Sequence, residues 1–542
     1  MKTSNRKIKK WLQIFSKTLV LAALPILSFS QGGTNDEVVV IKQYHSTLHD
    51  ADRIEVSPEI PEFEQRKQSY NYQLPQRDFK TGYFQPNPLK PIALSKEKIE
   101  RRNRSFIKLG FGLPWMPLAQ LEYNERKVKD FQFGLNYNHL SAASFKNKFQ
   151  RFSDDKVGIY LGGTPGKIAV GSDFSFHNIR NHFYAFPDSL TERKNILQQL
   201  RSFDGKVFIK NTTENTAKLN FKQDVRFNYF METKGKSREW FVAGTTYLER
   251  AFAKVHHAEA DFDFDISNYR DTASLQRNIF QFKLGYFFDN DDWFLKAKAG
   301  MAIDGKKVYP LVQISAEKLL YQSAIIAFVD WDWNFHKNSF AQFAMNNNFV
   351  NSSLNLTNTR RSDLQGGLKG TINGFSYNLA FHYKYVWNMP LFVNDTNDMK
   401  RFKVIHDNAN IYTIHAEAGY NWQNTLQLLL NLDYHIFKMK TEAKAWHEPG
   451  LNISLRANYN LKDKFILGAE LFVLAQSNAK LADGSASTIK ATGDLNLSVE
   501  YIFKNYLSFF LNLNNIAHQK YQRWYGYPSL GINGVIGAKF SF

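Results

Sequence analysis

The densest run of side chains able to do chemistry is His257-Ala-Glu259-Ala-Asp261-Phe-Asp263-Phe-Asp265. In an extended chain alternate residues share a face, so His257, Glu259, Asp261, Asp263 and Asp265 point the same way. Carboxylate oxygens beside an imidazole could hold a divalent cation or line a path for cations. The same residues also fit a solvated sheet face, neutralised by Lys283 on the next strand and by Lys296 and Lys298 on the one after. Other site chemistry is absent from the sequence. There is no nucleophile elbow, no His-Glu-x-x-His and no Walker loop. Gly162-Gly163-Thr164-Pro165-Gly166 reads as a hairpin turn, because no helix follows it to bind an anion. With no cysteine, thiolate catalysis and cysteine-bound metals are excluded. The expectation is a protein that is not an enzyme and needs no cofactor or resident metal.

The elements that would carry such a stripe are strands. From residue 104 to the last residue the apolar positions alternate with polar ones. Leu451, Ile453, Leu455, Ala457 and Tyr459 fall on one face, with Asn452, Ser454, Arg456 and Asn458 on the other. Leu426 to Ile436 and Leu495 to Tyr501 repeat the pattern, and Asp330-Trp331-Asp332-Trp333 sets Asp on one side and Trp on the other. The chain has 15% aromatic residues and a mean hydropathy of -0.42, too aromatic for disorder and too polar for a helical membrane protein. The apolar faces are long enough for tilted strands to cross hydrocarbon, and Trp240, Trp293, Trp387 and Trp422 cluster where interfacial girdles belong. Tight turns at Asn373-Gly374, Gln423-Asn424, Leu461–Lys464 and Lys504-Asn505 trade places with long polar stretches at Asn338–Arg361, Asn388–Asn408 and Gln476–Thr488. These features predict an all-β fold: an antiparallel up-and-down transmembrane barrel of about 22 strands over 104–542, with both ends on the periplasmic side. Ser339–Asn346 has helical spacing and is predicted to be a short helix in an outer loop.

Ahead of the barrel, Met1–Lys17 is basic, Thr18–Ser28 apolar, and Ser28-Phe29-Ser30 small enough for cleavage, the order of a secretory signal peptide over residues 1–30. The formal charge of +19 then falls to about +13, with no basic stripe, so nucleic acid is not an expected partner. Residues 31–103 hold Pro58, Pro61, Pro75, Pro86, Pro88 and Pro91 and read as an extended periplasmic segment rather than a folded plug. Its Asp36, Glu37, Val38, Val39, Val40 and Ile41 form a short run suited to adding onto the edge of another sheet.

Phe509 to Asn515, Gln519-Lys520-Tyr521, Trp524-Tyr525-Gly526-Tyr527-Pro528 and the terminal Gly537-Ala538-Lys539-Phe540-Ser541-Phe542 resemble the closing hairpin of TonB-dependent receptor barrels. Val38–Ile41 with Tyr44, Leu48-His49-Asp50-Ala51, Lys108-Leu109-Gly110-Phe111-Gly112 and Ala445-Trp446-His447-Glu448-Pro449 are similar to a plugless, receptor-like group in that superfamily. The resemblance implies a Gram-negative outer-membrane location, lipid as surroundings, and Gly537, Phe540 and Phe542 as a signal for the barrel insertion machinery. It also implies that Asp36–Ile41 resembles the box that engages an energising periplasmic partner. Two functions follow: solute passage or capture, gated by the N-terminal segment and outer loops, or a non-conducting accessory barrel in a larger envelope assembly. A lumen this wide needs something to fill or cover it.

Overall fold

In hydrocarbon every backbone N–H and C=O must find its partner within the protein, which leaves a closed barrel as the only spanning arrangement of strands. A computed structural model of the chain describes residues 105–125, 131–186, 192–213, 217–252 and 254–542. The expected signal peptide, the 31–103 segment and its Asp36–Ile41 strand lie outside the described residues. Among the described residues, 22 strands form one antiparallel sheet in which each strand pairs with its neighbours along the chain. The first, Ser105–Leu113, pairs with the last, Asn533–Ser541, from Phe106↔Ser541 to Leu113↔Gly534. No described helix is long and apolar enough to cross a membrane.

The seam depends on glycine. Gly110 and Gly537 face each other across it, and the Phe510 ring lies over both. A Cβ on Gly537 would fall 2.0 Å from the Leu109 carbonyl oxygen and 2.7 Å from Phe510. The side chains of Phe540 and Phe542 are exposed on the outside of the same terminal segment, their rings 5.9 Å apart.

The alternation resolves into an apolar outer belt and a polar lumen wall. Along Phe375–Asn394, Leu379 and Phe381 are 53% and 52% exposed while His382 is 1% exposed. Trp240, Trp293 and Trp422 are exposed near strand ends. The tight turns expected at Asn373, Gln423, Leu461 and Lys504 all lie at one mouth, with positive φ at Asn373, Gly374, Gln423, Asn424, Lys462 and Asp463. Gly162 and Gly163 end the strand Arg151–Gly163, and residues 164–167 make the expected turn to Ile168–His182.

The opposite mouth carries the long connections, with two corrections to the loops read from sequence. Asn388–Asn408 is mostly strand: Phe375–Asn394 and Phe402–Trp422 form one hairpin whose tip is only residues 395–401. Phe375 to Trp387 already covers about 30 Å along a tilted strand, so the remainder stands clear of the hydrocarbon. A bulge between Val386 and Met389 marks the exit. Above it Leu391, Phe392 and Val393 are all buried, so both faces are covered and the period-two signal vanishes. Gln476–Thr488 is largely a small hairpin of Ser477–Lys480 and Ala486–Ile489. The expected helix is present as Phe340–Asn346, N-capped by Ser339, whose hydroxyl accepts from Gln342 N.

Unheated, the protein should run on gels at a mobility distinct from the boiled sample. Gly537→Val should abolish most of that folded band, since a branched side chain has no room at the seam. Wild-type band intensity in the variant would contradict the seam described.

Candidate functional site

The long loops fold onto the projecting hairpin and make a second core at the barrel mouth. It contains Phe149, Phe183, Phe230, Tyr269, Phe340, Phe343, Phe392, Phe402, Trp524 and Tyr527, contributed by several different connections and strand ends. Phe392 and Phe402 lie 4.9 and 5.6 Å from the Trp524 ring, and Phe349 stacks on Tyr527 at 3.6 Å. Phe340 and Phe343 place the short helix on this core, and Glu239 from a neighbouring strand accepts from Ala341 N at 2.8 Å in its first turn. Val350 joins Phe402 by a parallel bridge, tying the loop after the helix to the hairpin tip.

Polar keystones hold the loops in register. Arg401, at the hairpin tip, lies 3.5 Å from the buried Glu232 carboxylate, 3.7 Å from Asp398 and 4.8 Å from the centre of the Phe183 ring. Gln198 also donates to Glu232, at 2.8 Å. Asp407 accepts from the amides of Thr441 and Glu442, and Glu442 in turn pairs with Lys480 at 2.7 Å and takes the Trp446 indole N–H. His447 is fully buried. Its Nδ1 lies 2.9 Å from the Phe392 carbonyl, while Nε2 faces Tyr525 N at 3.4 Å. Burial pushes the His447 imidazole down to about 3, against the Phe392 bond and with help from the nearby Arg523 guanidinium. Arg523 also donates to the His447 carbonyl. Ala445–Pro449 and Trp524–Pro528, two of the motifs that carried the family resemblance, therefore meet here: the His447 and Trp524 rings are 5.3 Å apart.

The acidic stripe lies on the lumen side of His256–Arg270, and the structure gives each of its members partners. Glu259, buried, pairs with Lys296 at 3.0 Å and Lys298 at 2.7 Å, and Lys298 also reaches Asp261 at 2.7 Å. Lys283 stands opposite Asp261 in the sheet. Asp263 bonds Thr245, and Asp265 pairs with Lys337 from the loop before the short helix. His257 sits 3.0 Å from Glu249 and stacks on Phe287 at 4.2 Å. Among the described residues no three His, Asp or Glu side chains are gathered as a metal would need. Further round the wall Asp363 meets His382, Asp433 meets His415, and Arg456 meets Glu470.

Sequence reasoning found the stripe but missed Glu232 and Arg401, and it named His447, Trp524 and Tyr527 only within the resemblance motifs, without their place in the cap. The signal available was apolar and aromatic side chains inside segments read as loops, which solvent-exposed loops do not need.

A closed 22-strand barrel with an apolar belt, a charged lumen wall and loops packed over one mouth has the architecture of an outer-membrane β-barrel. No family model and no curated relative matches the sequence. Among solved structures the chain is similar to the FrpB iron transporter from Neisseria meningitidis, with TM-score 0.64 and 10% identity over 81% of this chain and 82% of that one. It is also similar to the siderophore receptor PirA from Acinetobacter baumannii, at 0.63 and 9% over 81% of each. A third is the ferripyoverdine receptor of the outer membrane of Pseudomonas aeruginosa, at 0.60 and 13% over 81% and 72%. At these identities the likeness shows the fold, and it is the fold that the resemblance to TonB-dependent receptors implied.

Arg401→Ala leaves the Glu232 carboxylate buried without its cation, a loss of about 3–5 kcal/mol. Amide exchange should rise in 183–186, 192–200, 340–351 and 395–402 while the gel-shifted barrel band persists; unchanged exchange there would refute the keystone role. For His447 the sign follows from its lowered pKa. Above the unfolded value of about 6.5 both states are neutral and the closed cap keeps its full stability. As pH falls toward 3 an opened cap binds a proton that the closed one excludes, which costs about 2 kcal/mol by pH 5. Exchange in the cap, corrected for intrinsic rates, should therefore increase from pH 7 to pH 5, and His447→Gln should flatten that response.

Proposed function

We propose that this barrel serves solute passage or capture across the outer membrane, with the loop cap as its outer gate and residues 31–103 as its periplasmic closure. The observation that carries the reading is the cap itself. A charged, hydrophilic lumen wall suits a water-filled path, and a separately packed core over its mouth suits a gate. The neighbouring structures are titled as iron transporters and siderophore receptors, so ferric chelates are the first solutes to try. Asp36–Ile41 is proposed to dock a periplasmic protein by strand addition, and Gly537, Phe540 and Phe542 to be read by the insertion machinery. The His257–Asp265 stripe is proposed as part of the lumen wall, its charges balanced by lysines rather than held for a metal.

A second reading, a non-conducting accessory barrel, is favoured by one observation: the cap buries large aromatics as fully as a domain core does. Planar bilayers separate the two. Intact protein should be silent, whereas protein lacking residues 31–103 and carrying Arg401→Ala should show large conductance steps. Silence of that variant, with stoichiometric co-purification of a partner lost on Val39→Pro, would replace the gate with the accessory role.

A further inference from the structure

The outward face of four neighbouring strands, Phe131–Ala143, Arg151–Gly163, Ile168–His182 and Leu197–Asn211, changes character near the loop-bearing mouth. Register fixes which face that is. Trp240, exposed on the outer belt, stands opposite Tyr229, Tyr229 opposite Phe203, Phe203 opposite Phe176, Phe176 opposite Val157 and Val157 opposite Tyr137. Because side chains alternate, the residues two positions nearer the mouth share that face. They are His139, Asp155, Asn178 and Arg201, followed by Ser141, Ser153 and Arg180. On each strand the outer face is therefore apolar as far as Tyr137, Val157, Phe176 or Phe203 and polar beyond, which sets the switch at the edge of the outer-leaflet hydrocarbon. The lumen face of the same strands holds a separate pair, His177 and Asp154, at 2.7 Å.

Three of the outward side chains are arranged for acyl transfer. His139 Nδ1 lies 2.6 Å from Asp155 Oδ1, and His139 Nε2 lies 3.2 Å from Ser141 Oγ. Asp155, as a carboxylate, accepts from Nδ1–H, so Nε2 carries the lone pair and the Ser141 hydroxyl donates to it. Ser153 Oγ donates to the other Asp155 oxygen at 2.9 Å and Asn178 Nδ2 at 3.4 Å, with Asn178 held in turn by Gln199 at 2.7 Å. A nucleophile, its base and an oriented carboxylate make a triad, which is recognised by geometry and not by sequence spacing. The His139 and Asp155 side chains are 24% and 26% exposed, buried enough to be held and open enough to be reached. Arg180 stands across from Ser153, itself across from Ser141, so the row supplies a cation for the negative charge that forms during attack.

What lies beneath the triad names the substrate. A cavity of about 440 Å³ opens on the same outer face, lined by Val157, Ile159, Phe174, Phe176, Phe203 and Phe227 among others. Val157 and Phe176 are the outward residues next below Asp155 and Asn178, so the cavity begins where the triad ends. Its floor is Gly205, set in register between Phe174 and Phe227, and a Cβ there would lie 3.2 Å from the Phe174 ring. A missing side chain among rings leaves an apolar notch, and at this depth the molecule that fills it is an acyl chain of the surrounding lipid.

We propose that Ser141, His139 and Asp155 form a lipid acyl-ester hydrolase site on the outside of the barrel, with the cavity over Gly205 as its acyl-chain groove. Ser141 Oγ attacks the ester carbonyl carbon as its proton passes to His139 Nε2. The tetrahedral oxyanion collapses, the C–O bond to the lipid alcohol breaks, and His139 returns the proton to that alcohol. Water, activated by the same imidazole, then splits the acyl-serine ester into a fatty acid and free Ser141. Asp155 is a positioning residue: it holds the imidazole tautomer and stabilises the imidazolium. The site faces lipid rather than the lumen, so it stands whether or not the barrel conducts.

The full-length protein in mixed detergent micelles tests this with diacyl phosphatidylethanolamine and lipid A as probes, free fatty acid being measured by mass spectrometry. A fluorophosphonate reports the nucleophile separately, by intact mass. Wild-type protein should release fatty acid from one or both lipids and take up the fluorophosphonate on Ser141. Ser141→Ala should lose the adduct and at least about a thousandfold in turnover. Asp155→Asn should lose about a hundredfold or more in kcat with little change in KM. Gly205→Leu should raise KM for the diacyl lipid severalfold more than for a short-chain ester such as p-nitrophenyl butyrate. Variants are compared at equal intensity of the gel-shifted folded band. Fatty acid released equally by wild type and Ser141→Ala, or wild-type protein showing neither turnover nor adduct, would overturn the proposal; an adduct without turnover of either lipid would overturn the lipid substrate.

Discussion

Backbone groups in hydrocarbon have no water to fall back on, and this single constraint sets the architecture. It makes the first and last strands meet, with Ser105 and Phe542 exchanging N–H···O=C bonds of 3.1 and 2.9 Å at the foot of the seam. Closure then propagates a register round the whole sheet. Because side chains alternate with period two, a slip of one residue anywhere would turn an entire strand inside out. The register that puts Leu295 toward lipid is therefore the same one that brings Lys296 and Lys298 to Glu259. The acidic stripe, its lysines and the outer belt are three consequences of one pairing scheme.

The constraint ends where the hydrocarbon does, and the structure changes character there. Past the bulge between Val386 and Met389, the hairpin no longer separates oil from water but is wrapped by protein on both faces. Segments far apart in sequence converge on it: the helix after His336, the Trp446-His447 turn and the Trp524–Pro528 stretch. The same detachment lets two hairpins diverge above Val312 and Trp333, since neither has to complete the wall once lipid is left behind.

This division also explains how much could be read from the sequence. Strand number, tight turns, the short helix and the inward face of His257–Asp265 were legible, because a sheet between lipid and water prints its geometry as alternation. The lysine partners of Glu259 were legible as well, since neighbouring strands fix which residues face each other. The cap was not. Met389-Pro390-Leu391-Phe392-Val393 has no period because both of its faces are buried, and so it reads as a loop. Arg401 and Glu232 are 169 residues apart, and no local pattern links them. The structural role of Trp446-His447 and Trp524–Tyr527 was hidden for the same reason, although their aromatic content sets them apart from ordinary connections.

How the cap would open follows from what holds it. Apolar packing supplies cohesion without direction, while buried ion pairs add little net stability but penalise heavily any state in which one partner stays behind. Glu232 ends the strand Leu219–Glu232 while Arg401 belongs to the hairpin tip, and Glu442 and Lys480 likewise come from separate segments. Pulling one loop out of the core would strand a charge inside it, whereas lifting the hairpin tip with its attached loops brings both partners to water together. His447 adds to this coupling, since its imidazole bonds to the hairpin and its carbonyl to Arg523. The polar contacts therefore do less to make the packing strong than to make it all-or-none, so that any opening would lift the loops together rather than fray them singly.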